Sequence, residues 1–405
     1  MSNFIKNLNQ VVTPIQGKEE KIKVIENGFV EIDEGKIVQL GSMEDLPRGV
    51  KGLDGSGTVA VPGYVDPHTH LIFAGTREEE FIRRAKGEQY GTGGISQSAL
   101  HMEGATVESL VSRGRKFALR MLAQGTTTIE IKTGYGLSTE KEIMMLEAIK
   151  KLDKQVPQDL VPTFLGAHSV PEGKNKADYI NEIITEMIPE IRHRDLAAFC
   201  DVFCDEGFYT LEESKTILKA AKAAGMELKI HADEIVHMGG AALIAELGGV
   251  SADHLLKTPP GDLQKMKAGG VIPVLLPGTA FSLNEKYPAA NEMVEAGLPV
   301  ALGTDFNPGT CLINSMNLIF SLAVLKMGLD PRICLTGTTL NAAKAIKKDG
   351  EVGSLEPGKK ADVVLFDVEN YRQIFYFFGH NLVDKVLKEG AVVYDANETE
   401  GFCKN

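Results

Sequence analysis

Eight apolar runs of five to eight residues, spread over positions 58–309, constrain this chain more than any other feature of its sequence. They lie within TVAVPGYVDPHTH, TTTIEIKTG, LVPTFLGAH, LAAFCDVFCDE, MELKIHADE, GVSADHL, VIPVLLPG and VALGTDFNPG. Between them stand amphipathic stretches such as VESLVSRGRKFALRMLAQG, KEIMMLEAIKKLDK and LEESKTILKAAKAAG, with apolar residues at helical spacing. Eight buried strands alternating with helices predict an α/β chain built as a (β/α)8, TIM-like barrel. A doubly wound sheet is the rival, but it carries a Gly-rich phosphate turn, and no GxGxxG follows any of these runs. The flanks have a different rhythm. Residues 1–60 read as short strands, with KIKVIENGFVEIDEGKIVQLG alternating apolar and polar residues; ADVVLFDV and DKVLKEGAVVYD repeat the pattern within 352–395. Each flank is too small to bury a core alone. They are expected to pair into one small β-sandwich, residues 1–62 with 356–405, beside a barrel of residues 63–355.

Charge and cysteine content narrow the function classes. The net charge is −12 and no basic run occurs, which argues against nucleic acid or an anionic membrane surface as partner. No run of 18 apolar residues predicts a transmembrane helix, and MSNFIKNLNQVVTP lacks a signal-peptide layout. Five scattered cysteines suit a reducing, cytoplasmic setting better than a disulfide scaffold. The expected partner is a small-molecule substrate, and a homodimer is compatible with the sequence.

In a barrel of this kind the site is built at the C-terminal ends of the strands. Five of the nine histidines stand there: His68 and His70 on run one, His168 on run three, His231 on run five and His254 on run six. Run eight adds Asp305 and Asn307. Residues i and i+2 of a strand share a side, so His68 and His70 can chelate one ion. With His231 and Asp305 they form a nitrogen and oxygen set suited to Zn²⁺, or to a first-row metal such as Fe or Mn, with room for an acidified water. A lone His-x-His is as readily a polar pair in a turn. Two more donors at strand ends of the same barrel favour a metal.

Glu234, three residues past His231, is placed to move protons above such a centre, although alone it would read as a helix N-terminal charge. His254 is placed to polarise a carbonyl or take a proton, and His168 to donate to a substrate oxygen; either could be a satisfied interior histidine. Asp233 is expected to orient its neighbours. Cys200 and Cys204 read as two small buried thiols.

Together these stretches resemble the amidohydrolase superfamily and, within it, the imidazolonepropionase family. The resemblance rests on VPGYVDPHTHLIFAGTREEEF, IEIKTGYG, FLGAH, HADE, SADHL, TDFNPGT and GSLEPGKKADVVLFD, and spans nearly the whole chain. It implies a hydrolase that opens 4-imidazolone-5-propanoate to N-formimino-L-glutamate by metal-activated hydroxide attack on the ring carbonyl. It places one metal, Zn or Fe, on His68, His70, His231 and Asp305. Proton transfer falls to Glu234 and His254, and substrate contacts to Arg77, Tyr90, Tyr135, His168, Glu234 and Asn307. Arg77 would fork the propionate carboxylate, in place of its bland reading as a surface arginine in TREEEFIRR. Lys132 holds the position of a metal-bridging lysine in two-metal relatives, but its IEIKTGYG setting implies a one-metal centre. After Tyr90 the stretch YGTGGISQSALHMEGAT is shorter than in the family and lacks its Arg. Another ring hydrolase or an amino-heterocycle deaminase needs much the same parts. A non-catalytic scaffold of this fold would be expected to have lost ligands, and all four are present.

Overall fold

The computed structural model describes residues 3–87 and 94–399. Each of the eight apolar runs contains a strand: β1 Tyr64–Asp66, β2 Thr126–Lys132, β3 Asp159–Ala167, β4 Phe199–Cys204, β5 Glu227–Ala232, β6 Ser251–His254, β7 Ile272–Leu275 and β8 Ala301–Leu302. They pair in parallel and in chain order. Backbone just past the strand ends closes the ring between β8 and β1. Asp305 N donates to His68 O at 2.9 Å and His70 N to Phe306 O at 2.8 Å, and Thr69 bridges Phe306 in parallel. The Asp66 carboxylate fastens the same seam, accepting from the Thr304 amide at 3.1 Å and its hydroxyl at 2.6 Å.

Helices cover the outside. The ones that bear on the site are α1 Glu78–Ala85, α2 Val107–Leu122, α3 Thr139–Leu152 and α4 Leu211–Ala223. The last three occupy the amphipathic stretches predicted to be helical. Each starts at a hydroxyl cap: Thr106 with Ser109, Ser138, and Thr210 with Glu213, satisfying amides that a helix leaves open at its first turn. Their apolar faces, among them Leu110, Leu146, Ile149 and Ile217, join the strands in one large core. No helix among the described residues is long and apolar enough to cross a membrane.

The two flanks combine into one mixed eight-stranded sheet. Its centre is the antiparallel pairing of Thr58–Pro62 with Val363–Asp367, and Val11, Val30, Ala60, Val363 and Leu365 fill a separate apolar cluster. Its first two strands are longer than the short ones predicted, at Asn3–Ile15 and Lys18–Asp33. Register shifts allow this: their pairing slips between Ile5 and Leu8, near Asn7 at φ 59°, and a bulge bends a strand without ending it. The sheet folds back on itself, with Ile37 N donating to Lys359 O at 2.9 Å.

Candidate metal centre and active site

The C-terminal ends of the strands frame a cavity of about 850 Å³. Its wall carries His70, Arg77, Tyr135, His168, His231, Glu234, His254, Asp305 and Asn307, so nine of the side chains singled out in the sequence converge on one space. His68 lies directly beneath, fully buried, its ring 4.5 Å from that of His231 and 5.5 Å from that of His70. Tyr90 lies outside the described residues.

His68, His70 and His231 bring ring nitrogens within 4.8 Å of one another, and a second grouping of the same size joins His68, His254 and Asp305. Both are able to hold a metal ion. Asp305 Oδ1 is 3.5 Å from His68 Nε2 and 3.7 Å from His70 Nε2, too far for hydrogen bonds. Among the described residues, His68 Nε2 and His231 Nε2 have no hydrogen-bond partner although both are buried. Buried nitrogens without partners are costly in a folded core, and a cation shared by these donors removes that cost. Burial holds the pKa of His68 and His70 well below the histidine norm, and Lys132 beneath His68 and His168 beside His70 push the same way. Neutral imidazole is the form that binds a metal.

The other ring nitrogens are held from below. His68 Nδ1 donates to Asp253 Oδ2 at 2.6 Å, and His231 Nδ1 lies 3.1 Å from Asp201 Oδ2. The first bond sets the tautomer that leaves His68 Nε2 free for a metal, the usual carboxylate–histidine arrangement behind one, and Asp201 lies behind His231 in the same way. The two aspartates belong to a fully buried floor with Glu130, Lys132 and Lys229. Lys132 Nζ is 2.7 Å from Asp201 and 2.8 Å from Glu130, and Lys229 Nζ is 3.2 Å from Glu130. Burial opposes the charge on Lys132, but Asp201, Glu130 and Asp253 outweigh it and raise its pKa above the usual lysine value. Lys132 is thus paired with three carboxylates under the site. Of this floor, sequence reading singled out only Lys132. Its signal is present as charged residues two positions before or within the strand ends: Glu130 and Lys132, Asp201, Lys229 before His231, and Asp253.

Above the donors, Glu234 Oε1 is 3.5 Å from His254 Nδ1. Burial, with the neighbouring Asp305 and Asp205, pushes the Glu234 carboxyl well above its usual pKa. Burial keeps His254 neutral. The loop carrying Glu234 is fixed by Asp205, whose carboxylate accepts from the amides of Glu234, Ile235 and Val236 at 2.8–3.0 Å. Asp233 does orient its neighbours, accepting from the Met238 amide at 3.0 Å and the Thr258 hydroxyl at 2.8 Å. Asp233, His254 and Asp305 all have positive φ, backbone strain of the kind that gathers at functional sites. Thr279, another residue the sequence did not flag, donates to Asp305 Oδ2 at 2.5 Å and so orients Oδ1 toward the histidines.

The remaining residues line the wall. His168 stacks on His70 at 4.9 Å and bonds Gly134 O through Nδ1 at 3.0 Å. Burial and the adjacent His231 lower its pKa to about 3. The Tyr135 ring is 5.7 Å from His70 and 5.4 Å from His168. Asn307 spends its amide on its own loop, donating to Asp305 O and Thr310 Oγ1 at 2.7 Å and accepting from the Gly309 and Thr310 amides. Arg77 is not a surface arginine: it is 4% exposed, at the start of α1. Its fork grips Glu80 at 2.7–2.9 Å. Arg84, one turn on, shares Glu80 at 2.6 Å and donates to Gly309 O at 2.8 Å. The two guanidinium groups thus share one carboxylate on the cavity wall. Arg84 was not singled out in the sequence. Cys200 and Cys204 are buried free thiols, as expected.

A model of the Amidohydrolase family matches residues 59–393. The imidazolonepropionase of Alkaliphilus metalliredigens is 44% identical over 97% of this chain and 98% of its own length. That of Geobacillus kaustophilus is 44% identical over 96% and 97%. Among solved structures, a zinc-bound adenosine deaminase from Xanthomonas campestris superposes with a TM-score of 0.74 at 18% identity, over 99% of this chain and 96% of that one. At that identity the likeness speaks for the fold alone. The full-length matches go further: this chain belongs to the amidohydrolase family, in its imidazolonepropionase branch.

Proposed function

We propose that this protein hydrolyses 4-imidazolone-5-propanoate to N-formimino-L-glutamate, a step of histidine degradation. One observation carries the reading beyond the family: the buried His/Asp cluster, the Glu234–His254 pair and the Arg77–Arg84 pair meet at a single cavity. The first two suit ring opening and the third suits a carboxylate tail. His68, His70, His231 and Asp305 would hold the metal, Zn or Fe. When bound, such an ion supplies an acidified water at neutral pH.

The protein groups do the rest. Glu234, above the metal donors and beside His254, takes the proton lost by the attacking water and returns it to the ring nitrogen as the C–N bond breaks. One water is consumed and no other group departs. His254, neutral and held beside Glu234, donates a ring N–H to the carbonyl oxygen as charge develops there. His168 and Tyr135 seat the ring. Asn307 orders the turn at Gly309 and Thr310 against which the tail lies. Arg77 and Arg84 hold the carboxylate.

Incubation with 4-imidazolone-5-propanoate should yield N-formimino-L-glutamate with no ammonia. Ammonia released from an aminated ring, with the imidazolone left intact, would replace this reading with the deaminase one. A second test concerns the tail. Arg77→Met should raise KM by roughly 30-fold, because truncating a buried charge-assisted contact costs about 2 kcal/mol at the low end and Arg84 retains part of the charge. The kcat should fall much less, the pattern of lost uniform binding. An unchanged KM would mean that the tail is held elsewhere or that the substrate has no carboxylate.

A further inference from the structure

The loop between β2 and α3 presents Tyr135 to the cavity, and a buried carboxylate underneath holds that loop. Glu142, in the first turn of α3, is fully buried. Its Oε1 accepts from the amides of Gly136 at 2.8 Å and Leu137 at 2.9 Å, and its Oε2 from Gly134 at 3.0 Å. The Thr133 hydroxyl adds a further bond. Amides from both sides of Tyr135 therefore converge on one side chain. Burial raises the carboxyl's pKa and these bonds oppose the rise, so the nest of donors stabilises the ionised form.

The loop has little freedom to stand otherwise. Gly134 has φ +109° and Leu137 φ +49°, a left-handed backbone that costs a leucine free energy and needs support from outside. A Cβ on Gly134 would meet His168 Nδ1 at 2.7 Å, and one on Gly136 would meet the Glu142 amide nitrogen at 2.5 Å. The loop thus lies flat on the first turn of α3 below and against His168 above. The carbonyl of Gly134 in turn accepts from His168 Nδ1. One carboxylate fixes the segment that aims Tyr135 and also supplies the bond that orients His168.

We propose that Glu142 is a positioning residue for substrate binding: its carboxylate holds the 134–137 loop so that Tyr135 and His168 meet the substrate ring. The proposal rests on the reading of Tyr135 as a substrate contact. A structural role limited to capping α3 would cost stability and leave the kinetic constants of the folded enzyme alone. The test uses Glu142→Gln in the metal-loaded enzyme. An amide keeps the shape but points an N–H₂ at a backbone N–H, so one arm of the nest is lost.

Hydrogen exchange should show lost protection within the 134–137 loop, with metal content unchanged. KM should rise about tenfold or more and kcat should change less, the split expected when uniform binding is lost. Tyr135→Phe should raise KM alone but add little on top of Glu142→Gln, because residues acting as one unit are non-additive. If Glu142→Gln folds poorly, Glu142→Asp serves instead: its shorter carboxylate cannot span all three amides, and it should show the same split. Unchanged loop protection, or KM effects that simply add, overturns the proposal. A defect in Tyr135→Phe beside normal kinetics in Glu142→Gln sinks it alone. Normal kinetics in Tyr135→Phe sinks the reading of Tyr135 and the proposal with it.

Discussion

Asp305→Ala should leave the centre without metal and the enzyme without turnover, and His68→Ala should do the same. Asp305 Oδ1 stands 3.5–3.7 Å from two of the three histidine nitrogens, and its other oxygen is held by Thr279. Removing it leaves three imidazoles and takes away the one anion in the donor set. His68→Ala removes a donor and also frees Asp253, whose carboxylate loses the partner it held at 2.6 Å. Neither change should unfold the barrel, because the β8–β1 seam is made by the backbone of 68–70 and 305–306 and by Asp66 with Thr304. Elemental analysis with a rate assay checks this. Full metal content in an active Asp305→Ala protein would remove Asp305 from the ligand set.

Glu234→Gln should lower kcat by at least ~10²-fold with the metal retained, since positioned general acid–base groups contribute typically 10²–10⁴-fold. The loop's backbone amides remain held by Asp205, so the loop stays in place and only the proton carrier is lost. His254→Asn should cost a similar factor, because it removes the donor aimed at the carbonyl oxygen. His254 lies within metal-binding distance of His68 and Asp305, so metal content must be measured in both variants. Near-normal rates would refute the assigned proton transfers.

Much of this was legible in the sequence, for physical reasons that differ by region. The barrel could be read because each strand is buried on both faces and so appears as an apolar run, with helices of clear period between. The ligands could be read because a histidine or aspartate at the end of such a run has no place in a core. The floor of Glu130, Lys132, Asp201, Lys229 and Asp253 was harder. These residues sit inside the runs, and their charges are matched only by neighbours on other strands, which sequence order does not reveal. Arg77 was placed at the right wall, but its grip on Glu80 and the second arginine, Arg84, depend on how α1 faces the cavity. The terminal strands were read as short because their bulges look like breaks in alternation. Glu142 was invisible for a different reason: its partners are backbone amides, and any sequence supplies those.

The proposed chemistry requires one metal ion per chain at His68, His70, His231 and Asp305. Metal-stripped protein, titrated with zinc or iron while the turnover of 4-imidazolone-5-propanoate is followed, tests that most directly. Activity should start near zero, rise in proportion to the ion bound and level off at one equivalent per chain. A plateau at two equivalents would contradict the one-metal centre, and full activity in the stripped protein would contradict the metal-dependent reading altogether.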